Sequence, residues 1–467
     1  MPTNQKYEIG IIGLSTMGAN LARNFADKKI KTICFNRTTE RTETFIKTFG
    51  GKNLNGEKTL SNFIKKIAVP RKIILMVKSG EAVDELISKI TPLLDKNDIL
   101  IDCGNSHYKD TKRRFEELKK IGINFIGCGV SGGEEGALKG PSIMPGGDKQ
   151  AYQKIEPYLK KIAAKDFAGK PCVTYVGLSG SGHLVKMIHN GIEYGIMELI
   201  AETYDLLRKI YKLSPAQIAK IFQIYNKGKL QSYLFEITGH VLAKKDNLTK
   251  SYLIDKILDK SEQKGTGKWT VESALEEGLS IEIIASAVLA RIISHQKILR
   301  TKLSKLYPPT KTAATVPLNQ FTKALEDALY SAIILTYLQG YELIKETAAH
   351  GKWTINLPEI TRIWQGGCII RSDILKFLKS AHSLDSKEVQ KTLKTTIPNL
   401  RKVSVFALIN GVPSPSFLNA LSYFDGITSE KSPANLIQGL RDYFGAHTYE
   451  RTDKKGIFHT NWNSHIK

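Results

Sequence analysis

Through residue 180, short apolar runs alternate with longer amphipathic stretches. The runs at 7–12, 31–35, 72–77, 99–102, 123–127 and 173–176 read as strands. Several are apolar almost without a break, as expected where helices cover both faces of a parallel sheet. Between them, apolar residues at three- and four-residue spacing over 81–94 and 109–120 read as helices. This alternation predicts an α/β, Rossmann-like, doubly wound domain over residues 1–180. Past Gly182 the strand signal fades. Long helical patterns at 183–211, 281–306 and 318–350 predict a large all-α domain over 181–440. The stretch 307–314, with Pro308 and Pro309, reads as a turn between helices. Residues 441–467 form a third piece. It opens Arg-Asp-Tyr-Phe-Gly-Ala-His-Thr-Tyr-Glu and ends polar, and a segment so rich in aromatics is expected to dock rather than hang free.

Charge changes this picture little. The chain carries 68 Lys+Arg against 45 Asp+Glu, a formal net charge of +23. These residues are spread along the whole chain, with no helix-turn-helix or zinc spacing, so an attraction for small phosphorylated molecules is the simpler reading than nucleic-acid binding. Cys34, Cys103, Cys128, Cys172 and Cys368 stand far apart, with no metal-ligand spacing. Free thiols, no metal site and a reducing compartment follow. No apolar run is long enough to span a bilayer and no presequence is evident, so the expected location is cytoplasmic.

The first strand runs into Gly13-Leu14-Ser15-Thr16-Met17-Gly18, a Gly-x-Gly-x-x-Gly fingerprint with serine in the middle. Gly13 permits a tight turn, Gly18 permits close packing of helix on strand, and the helix N-terminus offers N–H groups to a pyrophosphate. After the second strand come Asn36, Arg37 and Thr38, with no acid before Glu40. An acid there would accept from a ribose hydroxyl; an arginine fork suits a 2′-phosphate and points to NADP rather than NAD. Val77, Lys78, Ser79 and Asn105 follow later strands, at the carboxyl edge where such sheets bind ligands.

Lys186, His189, Asn190 and Glu193 stand at i, i+3, i+4 and i+7, one face of the first helix of the second domain. Such a stripe can be a solvated face with an ordinary ion pair. Its place at the domain junction, where clefts form, and the helix-weakening Gly182, Gly191 and Gly195 favour a site. A lysine serves as a base there only if burial lowers its pKa. Ser131-Gly132-Gly133 adds a hydroxyl and open backbone N–H groups. Arg291 lies mid-helix among apolar residues and is expected to need an anionic ligand or a buried acid.

Segments 13–21, 36–38, 129–133, 186–195, 263–270, 366–372 and 441–450 together resemble the 6-phosphogluconate dehydrogenase family, in order and over nearly the whole chain. Simpler β-hydroxyacid dehydrogenases resemble only the first half and the lysine helix. The resemblance implies NADP-dependent oxidative decarboxylation of 6-phosphogluconate, with Lys186 as general base and Glu193 as general acid. It implies that Asn105, Ser131, Gly132, Gly133, His189 and Asn190 hold the carboxylate and hydroxyls. It further implies that Tyr194, Lys264, Arg291, Arg441 and His447 grip the phosphate, the last two from the tail of a neighbouring subunit in a homodimer. Two departures stand out: Ser15 where the family often has alanine, and Gln365 in place of a frequent arginine.

Overall fold

The computed structural model describes residues 6–308 and 311–462. Pro309 of the expected turn and residues 463–467 of the expected tail lie outside the described residues. Seven strands form one sheet: β1 (Ile9–Ile12), β2 (Thr32–Phe35), β3 (Leu54–Gly56), β4 (Lys72–Leu75), β5 (Ile99–Asp102), β6 (Asn124–Ser131) and β7 (Ser142–Gly147), in the order β3-β2-β1-β4-β5-β6-β7. The first six run parallel; β7 returns antiparallel on β6. The helices of this half are α1 (Thr16–Asp27), α2 (Thr39–Phe49), α3 (Leu60–Lys65), α4 (Glu81–Ile90), α5 (Tyr108–Lys120), α6 (Gly133–Lys139) and α7 (Lys149–Ile162).

The apolar runs have a direct physical cause. Alternate side chains of one strand enter two separate cores: Ile99 and Ile101 join Ile11 and Ile74 on one face, while Leu100 joins Ile33 and Leu75 on the other. A strand buried on both faces has no polar positions to alternate with.

The helical part comprises α8 (Ser181–Lys209), α9 (Pro215–Tyr225), α10 (Tyr233–Ala243), α11 (Thr266–Glu276), α12 (Glu282–His295), α13 (Lys297–Leu306), α14 (Leu318–His350), α15 (Leu357–Ile363), α16 (Ile374–Leu378), α17 (Lys387–Ile409) and α18 (Pro415–Ile427). Among the described residues no helix is long and apolar enough to cross a membrane. Helix α8 packs against β6 and β7 and against α11, α12 and α14, so the helix of the polar stripe joins the sheet to the helical part.

Several expectations need correction. The stretch 173–176 is not a strand; Val173 and Gly177 make only isolated bridges to Ile143 and Gly146. Two strands left no apolar signature. β3 is three residues reading Leu-Asn-Gly, and β7 contains Pro145, which an edge strand tolerates because it need not donate on both sides. The 281–306 pattern is two helices, broken at Gln296, whose backbone is not helical (ψ 39°). No proline or glycine causes the break. Lys297 and Arg300 both pair with Asp259, and Arg300 also donates to the Ser294 carbonyl, which favours the bent chain.

The chain divides into two compact units, Met1–Ala420 and Leu421–Lys467. The second holds α19 (Ala434–Gly445) and a hairpin of β8 (Tyr449–Glu450) and β9 (Ile457–Phe458). The tail, expected to dock, also has a core of its own, built on Asp442. Its carboxylate accepts from the Thr448 and Thr460 amides, His459 Nδ1 and Trp462 Nε1, at 2.9 to 3.1 Å. Burial alone would raise its pKa; these donors hold it at about 2.

One buried cation fastens the sheet half to the helical part. Arg362 on α15 donates to Asp166 Oδ2 (3.1 Å) and to the Pro171 and Val173 carbonyls (2.9 and 3.3 Å). Asp166 has a side chain only 1 % exposed. Arg362→Met leaves that carboxylate without its cation and is expected to cost about 3 kcal/mol, read as a lower urea midpoint. An unchanged midpoint would mean that water replaces the guanidinium at no cost.

Candidate active site

The nucleotide side of the site is built from backbone. Gly13 has φ +101°, and a Cβ there would stand 2.3 Å from the Met76 carbonyl oxygen. Gly18 lies against the Gly13 carbonyl, 2.0 Å from where its own Cβ would be. Only glycine fits either position, so β1 and α1 meet as closely as a pyrophosphate turn requires. Ser15 is the N-cap of α1 but its side chain bonds to no backbone N–H, and Thr38 likewise leaves the start of α2 uncapped. Both helix ends therefore keep donors for an anion. Asn36 ties the two loops together, accepting from Leu14 N (3.1 Å) and donating to the Thr38 carbonyl (3.2 Å). Arg37 is exposed beside them. These residues fit a dinucleotide carrying a 2′-phosphate. Thr16 and Lys78 are exposed, Met17, Val77 and Ser79 half-buried, and Asn105 is the one exposed residue between Ile99 and Ser106.

The stripe on α8 is not a solvated face. Lys186 is 7 % exposed and His189 is fully buried. Lys186 Nζ donates to Asn190 Oδ1 at 2.7 Å. The same oxygen lies 3.0 Å from His189 Nδ1, and His189 Nε2 lies 3.2 Å from Ser131 Oγ at the end of β6. Burial, and then the Lys186 charge, push the His189 pKa well below its usual value, so the ring is neutral. An amide oxygen cannot donate, so Nδ1 carries the proton and Nε2 accepts from Ser131. Glu193 Oε2 is 4.0 Å from His189 Nδ1. Burial lowers the Lys186 pKa from 10.5, and burial raises that of Glu193 from 4.5; the attraction between the two groups opposes both shifts. One helix thus places a lysine that readily loses its proton two turns from a carboxyl that readily keeps one. Gly132 (φ +128°) and Gly133 (φ +63°) start α6 beside Ser131.

The expected phosphate residues divide. The Arg291 guanidinium lies over the Tyr194 ring at 3.5 Å and donates to the Glu262 carbonyl. Among the described residues no acid hydrogen-bonds it, so of the two expected partners the anionic ligand remains. Its neighbours Leu289, Ile292 and Ile293 are 58, 46 and 55 % exposed, so the apolar surroundings inferred from sequence are not an interior and impose no need for a buried acid. Lys264 is exposed, one residue before Gly265, which takes φ +94° to start α11. Arg441 and His447 belong to the second compact unit. Both are exposed, Arg441 donating to Gln438 and His447 standing against Phe444. Gln365 is buried and bonds to the Leu375 carbonyl.

Three neighbours of the site had no individual role in the sequence reading. Thr266 Oγ1 accepts from Asn190 Nδ2 at 3.1 Å, which leaves the Asn190 oxygen for Lys186. Trp364 stands edge-on to His189, with ring centres 5.7 Å apart. Gly129 makes room for Lys186: a Cβ there would lie 2.4 Å from Lys186 Cβ. Thr266 and Gly129 lie in the 263–270 and 129–133 segments that carry the resemblance, with no role assigned to them there; Trp364 lies outside those segments and carries no local signal. No group of three His, Cys, Asp or Glu side chains among the described residues could hold a metal ion.

A dinucleotide turn at the sheet edge, joined to a helix bearing a buried lysine and a carboxyl, defines a nucleotide-dependent dehydrogenase. Comparisons with known proteins narrow the class. Residues 8–177 match the NAD binding domain of 6-phosphogluconate dehydrogenase, and residues 182–462 match the 6-phosphogluconate dehydrogenase C-terminal domain. The NADP(+)-dependent, decarboxylating 6-phosphogluconate dehydrogenase of Bacillus subtilis is 47 % identical over 98 % of this chain and 99 % of its own. The decarboxylating 6-phosphogluconate dehydrogenase of Escherichia coli K12 is 44 % identical, with the same coverage. The Plasmodium falciparum 6-phosphogluconate dehydrogenase, solved in its apo form and with NADP+ and with 6-phosphogluconate, superposes with a TM-score of 0.93 at 43 % identity, over 97 % of this chain and 100 % of that one. The chain belongs to the 6-phosphogluconate dehydrogenase family.

Proposed function

We propose that the protein oxidises 6-phospho-D-gluconate with NADP and decarboxylates it to D-ribulose 5-phosphate, CO2 and NADPH, the oxidative step of the pentose phosphate pathway. The observation that carries this reading is the paired shift on α8: a buried Lys186 whose pKa burial lowers, and a half-buried Glu193 whose pKa partial burial raises. Residues 13–18, 36–38, 77–79 and Asn105 hold the nucleotide, and NADP, when bound, supplies the acceptor for the hydride from C3. Neutral Lys186 takes the proton of the C3 hydroxyl. As an ammonium it then polarises the new C3 carbonyl, so the carboxylate leaves as CO2 and the electron pair is held as an enediol. Glu193 then protonates the former C2, which becomes C1 of ribulose 5-phosphate, while the oxygen on the former C3 gives its proton back to Lys186 and becomes the ketone. Asn190 holds the Lys186 amine in place throughout, and its own orientation is set by His189 and Thr266. Asn105, Ser131, Gly132, Gly133, His189 and Asn190 bind the carboxylate and hydroxyls.

The phosphate is gripped by Tyr194, Lys264 and Arg291, joined by Arg441 and His447 from a second copy in a homodimer. Supporting this, α19 turns Leu436, Ile437, Leu440 and Phe444 outward at 54 to 73 % exposure, an apolar face suited to burial against another chain. Residues 1–180 serve as the nucleotide domain, 181–440 as the substrate and dimerisation domain, and 441–467 as the exchanged tail. Five buried, unpaired cysteines suit a cytoplasmic enzyme.

Mixing the protein with 6-phosphogluconate and NADP is expected to yield NADPH and CO2 in equal amounts, with NAD and unphosphorylated gluconate both much poorer. NADPH without CO2 would remove the decarboxylation. Equal use of gluconate would remove the phosphate grip.

Activity requires Lys186 neutral, hence a pH above its lowered pKa, and Glu193 protonated, hence a pH below its raised one. A bell-shaped profile follows. Glu193→Gln should abolish the basic limb and lower kcat by about 100-fold or more; a basic limb that persists would place the acid elsewhere.

Neither Lys186→Met nor Arg441→Ala should be active alone. Mixing them under conditions that exchange subunits should restore activity, because one site of each mixed dimer then has both residues. No recovery would mean that Arg441 serves its own chain.

A further inference from the structure

Two loops at the carboxyl edge of the sheet, 77–80 after β4 and 103–106 after β5, are joined underneath by one buried cation. Arg114 on α5 is 1 % exposed. Its Nε and Nη2 form a fork on Asp84 of α4, at 2.8 and 2.7 Å, and Nη2 also donates to the Gly80 carbonyl at 3.0 Å. Gly80 begins α4 with φ +89°. The remaining nitrogen, Nη1, makes no hydrogen bond and lies 3.9 Å from Asp102 Oδ2.

Asp102 ends β5 and is fully buried. Its Oδ1 accepts from Gly104 N (3.0 Å) and its Oδ2 from Ser106 Oγ (2.6 Å). The carboxylate thus closes the 103–106 loop around itself and leaves Asn105 as its exposed apex. One turn before Arg114 on the same helix face, Thr111 Oγ1 bonds to His183 Nδ1 at 2.7 Å. His183 is one turn before Lys186 on α8, and it fits because Gly127 has no Cβ; one would lie 3.0 Å from its ring. Helix α5 therefore braces the Gly80 loop, the Asn105 loop and the first turn of the base-bearing helix.

Stability alone does not account for this arrangement. The exposed side of Asp84 could satisfy an arginine at the surface, and apolar residues usually fill a buried site as well as an ion pair does. We propose that Arg114 is a positioning residue: it holds the Lys78–Ser79 loop and Asn105 at a fixed separation, so that nucleotide and sugar acid meet at the right distance. This inference rests on the proposed function above.

The test is Arg114→Lys, which keeps the charge and loses the fork. With an unchanged melting temperature, the KM values for NADP and 6-phosphogluconate should each rise roughly tenfold while kcat changes less than about threefold, and both limbs of the pH profile should stay in place. In an Asn105→Ala background, Arg114→Lys should add no further rise in the 6-phosphogluconate KM, since one residue acts through the other. Unchanged KM values, or a fully additive rise, would overturn the proposal. Should Arg114→Lys fail to fold, the charge-free pair Arg114→Met with Asp84→Asn, which leaves the Asp102 loop contacts untouched, decides: raised KM values support positioning, and wild-type values reduce Arg114 to a structural pair. NADP affinity, titrated without turnover, keeps the inference testable if the wild type proves inactive on 6-phosphogluconate.

Discussion

Burial of the Lys186 amine is the constraint from which the rest of the site follows. An ammonium in water would keep its proton and serve no base chemistry at ordinary pH; removing water lowers that preference. The removal needs close packing on every side. β6 contributes a glycine at 129 so that the lysine stem can pass, α11 contributes Thr266, and Trp364 fills the space behind His189. A buried amine must also find an acceptor, and Asn190 provides one without a charge. A carboxylate in that position would hold the proton on the lysine, whereas an amide oxygen satisfies the amine and leaves its pKa low.

The same logic explains why the polar chain is closed. Ser131 donates to His189, His189 to Asn190, and Asn190 to Thr266, so Ser131, His189 and Thr266 together orient Asn190, which receives the Lys186 amine. A buried network with one member unsatisfied would cost more than it contributes. Glu193 lies at its outer edge, its side chain 20 % exposed. Lys186 and Glu193 differ in burial, and their pKa values move toward each other.

Much of this was legible in the sequence because it is local. The 318–350 pattern coincides with α14, and the spacing 186, 189, 190, 193 correctly places four polar groups on one helix face. The positive φ of Gly13 and the approach of Gly18 to the Gly13 carbonyl are local, so the turn shows in the sequence, although Gly13 also makes room for the distant Met76 carbonyl. What the sequence hid depends on contacts between remote segments. β3 is a strand because β2 is beside it, not because Leu-Asn-Gly favours one. The helix break at Gln296 is bound up with Asp259, far back in the chain. Arg291 read as buried because its sequence neighbours are apolar, yet those neighbours face outward. Periodicity shows which residues share a face, not whether that face is covered.

The tail shows the limit most sharply. Aromatics and histidines clustered near the end of the chain imply docking, and the structure offers two separate answers to that demand. His459 and Trp462 are used internally, drawn with two backbone amides onto the Asp442 carboxylate. Leu436, Leu440 and Phe444 are not, and stay outward on α19. An unfolded tail would have to order itself on its partner and lose affinity in doing so; a tail already closed on a buried carboxylate has met that cost beforehand. Arg441, next in sequence to Asp442 and carried on the same helix, is held in place by the same closure. The order of the tail is therefore a property of its own fold.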